Sequence, residues 1–85
     1  MAKVNFLAEP PQGDGLTGYD EQHLVTYLRL LDAEAEGADW RDVVRIVFEI
    51  EPDADPKHAK VVFTSHLARA HWVRDSGFRR LLDKQ

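Results

Sequence analysis

The side chains with the most chemistry to offer lie in the second half of the chain. Residues 51–60 read EPDADPKHAK, an acidic run punctuated by proline that ends in Lys57, His58 and Lys60. Four carboxylates, Glu49, Glu51, Asp53 and Asp55, stand in front of those cations. Together with Thr64 the cations occupy the start of an expected helix, the position from which DNA-reading helices present side chains to base edges. Arg69 and Arg74 extend the same basic set further along. The four histidines raise a second chemistry, metal ligation. His66 and His71 are five residues apart, which sets them ~140° apart on a helix of 3.6 residues per turn, a poor chelate. His58 and His66 are two turns apart, too far for a bidentate clamp, so no metal site is expected. Catalysis has little support. There is no Gly-rich phosphate loop, no HExxH and no cysteine, and Ser65 and Ser76 lack a motif context. Neither enzymatic activity nor a cofactor is expected.

Charge decides how far the DNA comparison can go. The formal net charge is −4, but it is unevenly distributed. Residues 1–55 hold four basic groups against thirteen acidic ones, a net of −9, whereas residues 56–85 hold seven against two, a net of +5. Phosphate binding needs a concentrated basic face, and here that face adjoins a strongly acidic body. A domain this small spans only about two or three Debye lengths at physiological salt, so the acidic body weakens attraction to DNA.

The elements that must position these residues can be read from pattern. An 85-residue chain with 44% apolar residues makes one small domain with a single core. The absence of cysteine fits a reducing compartment, and no apolar run approaches the ~20 residues that span a bilayer. The opening MAKVNFLAEPP is too weakly apolar for a signal peptide, so a cytoplasmic protein is expected. Residues 1–18 carry two prolines and three glycines without periodicity, and are expected to form a flexible tail ahead of one helical domain, 19–85. Asp20 is the expected cap of a first helix whose core face holds Leu24, Tyr27, Leu28, Leu31 and Ala35, with Gly37 as its stop. Asp39 caps a second helix with Trp40, Val43, Val44 and Val47 on one face. The β-branched run VVRIVF within it could pass for a strand, but caps and flanking turns favour helix. Asp55 and Pro56 open a third helix running to about Arg74 or Asp75, with Gly77 just past its end. Val61, Ser65, Ala68 and Trp72 form one stripe on it, and Ala59, Phe63, Ala70 and Val73 another, so it should be packed on two sides. Lys57, Lys60, Thr64 and His71 share the remaining face. A short last helix would return Phe78, Leu81 and Leu82 to the core. The expected fold is all-α, a bundle of about four helices containing a helix–turn–helix variant. Its turn, about seven residues, exceeds the three or four usual for that motif.

Three apolar residues fall off the core stripes: Leu30, Ile46 and Leu67. Single exposed apolar residues are ordinary, but three on different helices of so small a domain point to a protein partner.

The blocks LRLLDAEAEGADWRDVVRIVF and SHLARAHWVRDSGFRRLL, from about Tyr19 to Leu82, resemble the bacterial family catalogued as domain of unknown function 2285. The resemblance implies a helix–turn–helix variant with an extended turn. It also implies two styles of function. Some members are transcriptional activators that pair this domain with another one and bind DNA through a basic face. Others are single-domain antiactivators that bind such an activator and hold it inactive, in the control of conjugative-element transfer. Here no companion domain accompanies the helices, and Val61 and Val62 stand where more arginine would be expected. Both departures favour an antiactivator, monomeric when free, whose partner is a cognate activator. The competing expectation is a DNA-binding regulator using Lys57, His58, Lys60, Thr64, Arg69 and Arg74.

Overall fold

Thr17, not Asp20, begins the helical part of the chain. In the computed structural model, which describes residues 6–13 and 15–77, the Thr17 hydroxyl accepts the Asp20 backbone N–H at 3.2 Å. The Asp20 carboxylate in turn accepts the Thr17 backbone N–H at 3.0 Å, closing a capping box. Asp20 is thus the third helical residue and serves the cap from inside. Helix α1 spans Gly18–Gln22, His23 interrupts it, and α2 follows over Leu24–Ala35. Gly37 takes the left-handed conformation after α2, as expected of a glycine stop. Asp39 caps α3, Trp40–Val43, by accepting the Arg41 N–H at 2.9 Å. A π-helical turn, Val44–Phe48, continues α3, so VVRIVF is helical and not a strand. Glu49 then leaves in the left-handed region with φ 57°. After the seven-residue turn Asp55 caps α4, Pro56–Trp72, through the His58 N–H at 3.1 Å, with Pro56 at its first position. A second π-helical turn, Val73–Gly77, ends the described chain, so the regular helix stops a little earlier than expected. The helix expected at Phe78, Leu81 and Leu82 lies outside the described residues. Among the described residues there are four helices and no strand, the small all-α bundle anticipated.

The core gathers Tyr27 and Leu30 from α2, Val43 and Phe48 from α3 and its π turn, and Val62, Ala70 and Val73 from α4 and the π turn that ends it. This corrects the expected face of α2. Leu30 is 1% exposed and Leu28 50% exposed, the reverse of the predicted arrangement. The cause is a polar one: the Tyr27 hydroxyl donates to the buried Asp20 carboxylate at 2.8 Å. Turning Tyr27 inward brings Leu30 with it and rotates Leu28 out. The buried side of α4 is likewise headed by polar residues, His66 and Arg69, alongside Ala59, Val62 and Ala70. Of the expected stripes, Val61 and Ala68 are exposed.

Arg69 and Asp20 form the central ion pair. The Arg69 guanidinium donates to Asp20 Oδ2 at 2.6 Å and Oδ1 at 3.0 Å, and to the carbonyls of Gly13 and Gly15, both at 2.9 Å. Burial alone would raise the Asp20 pKa. Hydrogen bonds from Arg69, the Thr17 backbone and Tyr27 outweigh it and hold the carboxyl down at about 2. Behind this pair lies a neutral chain. The His66 Nδ1 sits 2.8 Å from the Val62 carbonyl, which can only accept, so Nδ1 carries the proton. Nε2 therefore accepts from the Tyr19 hydroxyl at 2.6 Å, and that oxygen accepts the Leu7 N–H at 3.1 Å. Burial lowers the His66 pKa, and that of His23, so both imidazoles are held neutral.

The described residues before Thr17 make defined contacts with the helices. The Phe6 ring packs against Phe48 with centroids 4.7 Å apart and against His23 at 4.8 Å. The Ser65 hydroxyl donates to the Ala8 carbonyl at 3.1 Å, and Pro10 is buried. The segment is a strap. It covers the Ser65–Trp72 side of α4, the second packing side that the stripes predicted, but with a non-helical cover.

Candidate partner interface

The surplus carboxylates of the turn have a structural use. Arg45, on the π turn, reaches Asp42 at 3.3 Å, Glu51 at 3.3 Å and Asp53 at 3.6 Å. Its hydrogen bonds hold the Glu51 carboxyl below the usual carboxylate range. All four groups are exposed, so the cluster adds little stability, but it fixes the course of the turn around one guanidinium. Glu51 also accepts the Asp53 N–H at 3.4 Å.

The expected basic face is thinner than its sequence suggests. Lys57, His58 and Thr64 are exposed at the start of α4, with the Thr64 hydroxyl donating back to the Lys60 carbonyl at 2.8 Å. Lys60 lies over the Trp40 ring at 4.5 Å. Arg74 is exposed but donates to Asp75 at 2.8 Å and to His71 Nδ1 at 3.0 Å. The other His71 nitrogen donates to Glu34 at 2.8 Å. Arg69, unlike the other five candidates, is not on the surface at all: it is 7% exposed and saturated by Asp20 and two backbone carbonyls. Removing it from the DNA-facing set is a correction, and its cause is the need of buried Asp20 for a counter-charge.

The three apolar candidates separate. Leu30 is a core residue and leaves the interface set, for the reason given by Tyr27. Leu67 is half-buried, packed on the core at the edge of a groove of about 440 Å³ that Trp40 and Phe63 also line. Ile46 is the clear surface residue, 66% exposed. It borders a second groove of about 260 Å³ between α2 and the π turn, floored by Ala33, Val43 and Val47. Ala33 and Val43 belong to both grooves, so the two lie side by side. Three rim carboxylates of the Ile46 groove, Asp32, Glu36 and Asp42, outnumber its one cation, Arg29. Sequence reasoning missed Val25, 70% exposed, and Leu28, which share the solvent side of α2 with Asp32. Their i, i+3 spacing was a signal, masked because Leu28 also fitted an aliphatic core stripe.

Among the described residues no three histidine or carboxylate side chains converge on a possible metal position, and no helix is long and apolar enough to cross a membrane. No protein-family model matches the chain, and no curated protein matches it. Function must therefore be argued from the side chains.

Proposed function

We propose that this protein is a transcriptional antiactivator, acting in the cytoplasm as a free monomer, which binds a cognate activator and prevents it from switching on conjugative-element transfer genes. The sequence resembles the family catalogued as domain of unknown function 2285, and within it the antiactivator QseM of an integrative and conjugative element. By mimicking the activator's own helix–turn–helix-like domain, the protein would take that domain's place against the rest of the activator. Its acidic surface would also hold the complex off promoters, since like charge facing phosphate lowers affinity.

The observation that carries the proposal is the coupling of exposed Ile46 to a carboxylate-rich surface, while Arg69 is turned inward. A protein that bound phosphates would need the opposite allocation. The test is a pull-down of the cognate activator at low and moderate salt, in which activator should be recovered at both. Recovery of none would sink the proposal. A second class, DNA binding, is favoured by one feature, the exposed Lys57 and His58 at the amino-terminal turn of α4. It requires a mobility shift with duplex DNA that disappears steeply as salt rises. No shift is expected, even at low salt.

A further inference from the structure

We propose that the groove between α2 and the π turn is a docking site for an amphipathic helix of a protein partner, one that presents an apolar anchor flanked by lysine or arginine. The proposal rests on the antiactivator reading for the class of partner, and adds where and how that partner is held. Three observations point to this occupant. The first is shape: the groove holds about 260 Å³ and is open to solvent, room for one or two aliphatic side chains but less than drug-sized ligand sites usually enclose. Its floor is aliphatic, from Ala33, Val43 and Val47, and exposed Ile46 stands at its edge.

The second is charge. Asp32, Glu36 and Asp42 against Arg29 leave the rim net negative. Asp42 also belongs to the Arg45 cluster with Glu51 and Asp53, which places further carboxylates beyond that end of the groove. An acidic or neutral segment would be repelled or gain nothing, whereas basic flanks would be steered in and held in register. The third is backbone chemistry. Both groove walls are helical, and no strand edge exists among the described residues to pair with an extended peptide. The occupant must satisfy its own backbone, which a helix does, so specificity falls to anchors at helical spacing. Val25 and Leu28 on the solvent side of α2 extend the apolar surface.

A second copy of this chain is the main competitor, because Val61 between Lys57 and Lys60 offers an apolar residue with basic neighbours. It is disfavoured on two counts. Lys60 is engaged on the Trp40 ring. The contact would also join two different surfaces, an arrangement that forms open chains unless its rotation closes.

The test uses the full chain and two synthetic helical peptides with identical leucine anchors, one flanked by lysines and one by glutamates. Following backbone amide shifts, the lysine peptide should saturably perturb Asp32, Ala33, Glu36, Asp42, Ile46 and Val47, and the glutamate peptide should not. Ile46→Ser and Glu36→Lys, both at exposed positions, should each weaken binding roughly tenfold, a change worth about 1.4 kcal/mol. Lys57→Glu, away from the groove, should not weaken it. Perturbation scattered over the acidic surface, or an unchanged affinity for Ile46→Ser, would overturn the proposal. So would groove shifts that depend on protein concentration alone, because the occupant would then be a second copy. Pull-downs separate this proposal from the function it rests on. If Ile46→Ser and Glu36→Lys capture the cognate activator as well as the unaltered chain does, the groove is wrong and the antiactivator stands. If the lysine peptide binds as described but no activator is captured, the groove stands and the antiactivator falls.

Discussion

Arg69 sends four hydrogen bonds into the protein's own interior, so at the scale of single residues its charge serves the fold and not a ligand. The pair with Asp20 is almost wholly desolvated, and truncating one member leaves the other charged and alone. Arg69→Met should therefore destabilise the protein by about 3–5 kcal/mol, and Arg69→Lys should recover little of it, since an ammonium cannot reproduce the fork that spans Asp20 and two carbonyls. Urea unfolding monitored by circular dichroism checks both. A loss below about 1 kcal/mol for Arg69→Met would mean that the pair is not buried. In the sequence Arg69 was legible as a cation and nothing more. Its role depends on Asp20, forty-nine residues away, and no local pattern connects the two.

At the scale of elements the sequence was most informative where chemistry is local. Asp39, Asp55, Pro56 and Gly37 act within a turn of themselves, and all four hold the positions their residue types predict. It was least informative about which way a helix faces. Of the expected α2 stripe, Tyr27 is in the core and Leu24 and Leu31 pack against it, but Leu28 is exposed and Leu30 is buried instead, a choice set by the Tyr27 hydroxyl drawn to Asp20. The same masking hid the buried side of α4, where His66 and Arg69 look like surface residues until their partners are known. This rotation is testable by paired substitutions. Leu30→Ala should cost about 2–5 kcal/mol, as for other buried leucines, and Leu28→Ala should stay within about 0.5 kcal/mol. The opposite order, measured by thermal or urea unfolding, would restore the stripe read from the sequence alone.

For the molecule as a whole, stability should depend on pH in two separate windows. His23 and His66 are depressed below their ordinary value of 6.5, so under acidification the unfolded chain binds protons that the native state refuses. Stability rises with pH wherever the unfolded state holds more protons, so it is fully present above about 6.5 and declines as pH falls below that. Asp20 adds a second decline, beginning near its ordinary value of 3.8 and ending near the folded value of about 2. Unfolding free energies from pH 7.5 to 4.5 should fall for the unaltered chain and fall less for His66→Gln. A flat profile would remove the buried neutral imidazoles. The extra proton on His66 would arrive at Nε2, facing the Tyr19 oxygen, and would end that hydroxyl's donation. The candidate interface, unlike the core, was partly legible: Ile46 was recognisable by its register, whereas the carboxylate rim belongs to two helices and needed the fold to assemble it.

The strap has a consequence for the order of events during synthesis. Residues 6–17 emerge from the ribosome before the helices they strap, yet the guanidinium that fastens them at Gly13 and Gly15 comes more than fifty residues later. Through most of translation Asp20 must stay hydrated, with α1, α2 and α3 already outside and no counter-charge to bury against. A segment made before the helices is thus secured only after them, and an interrupted chain ending before residue 69 would carry a carboxylate that its own core cannot admit.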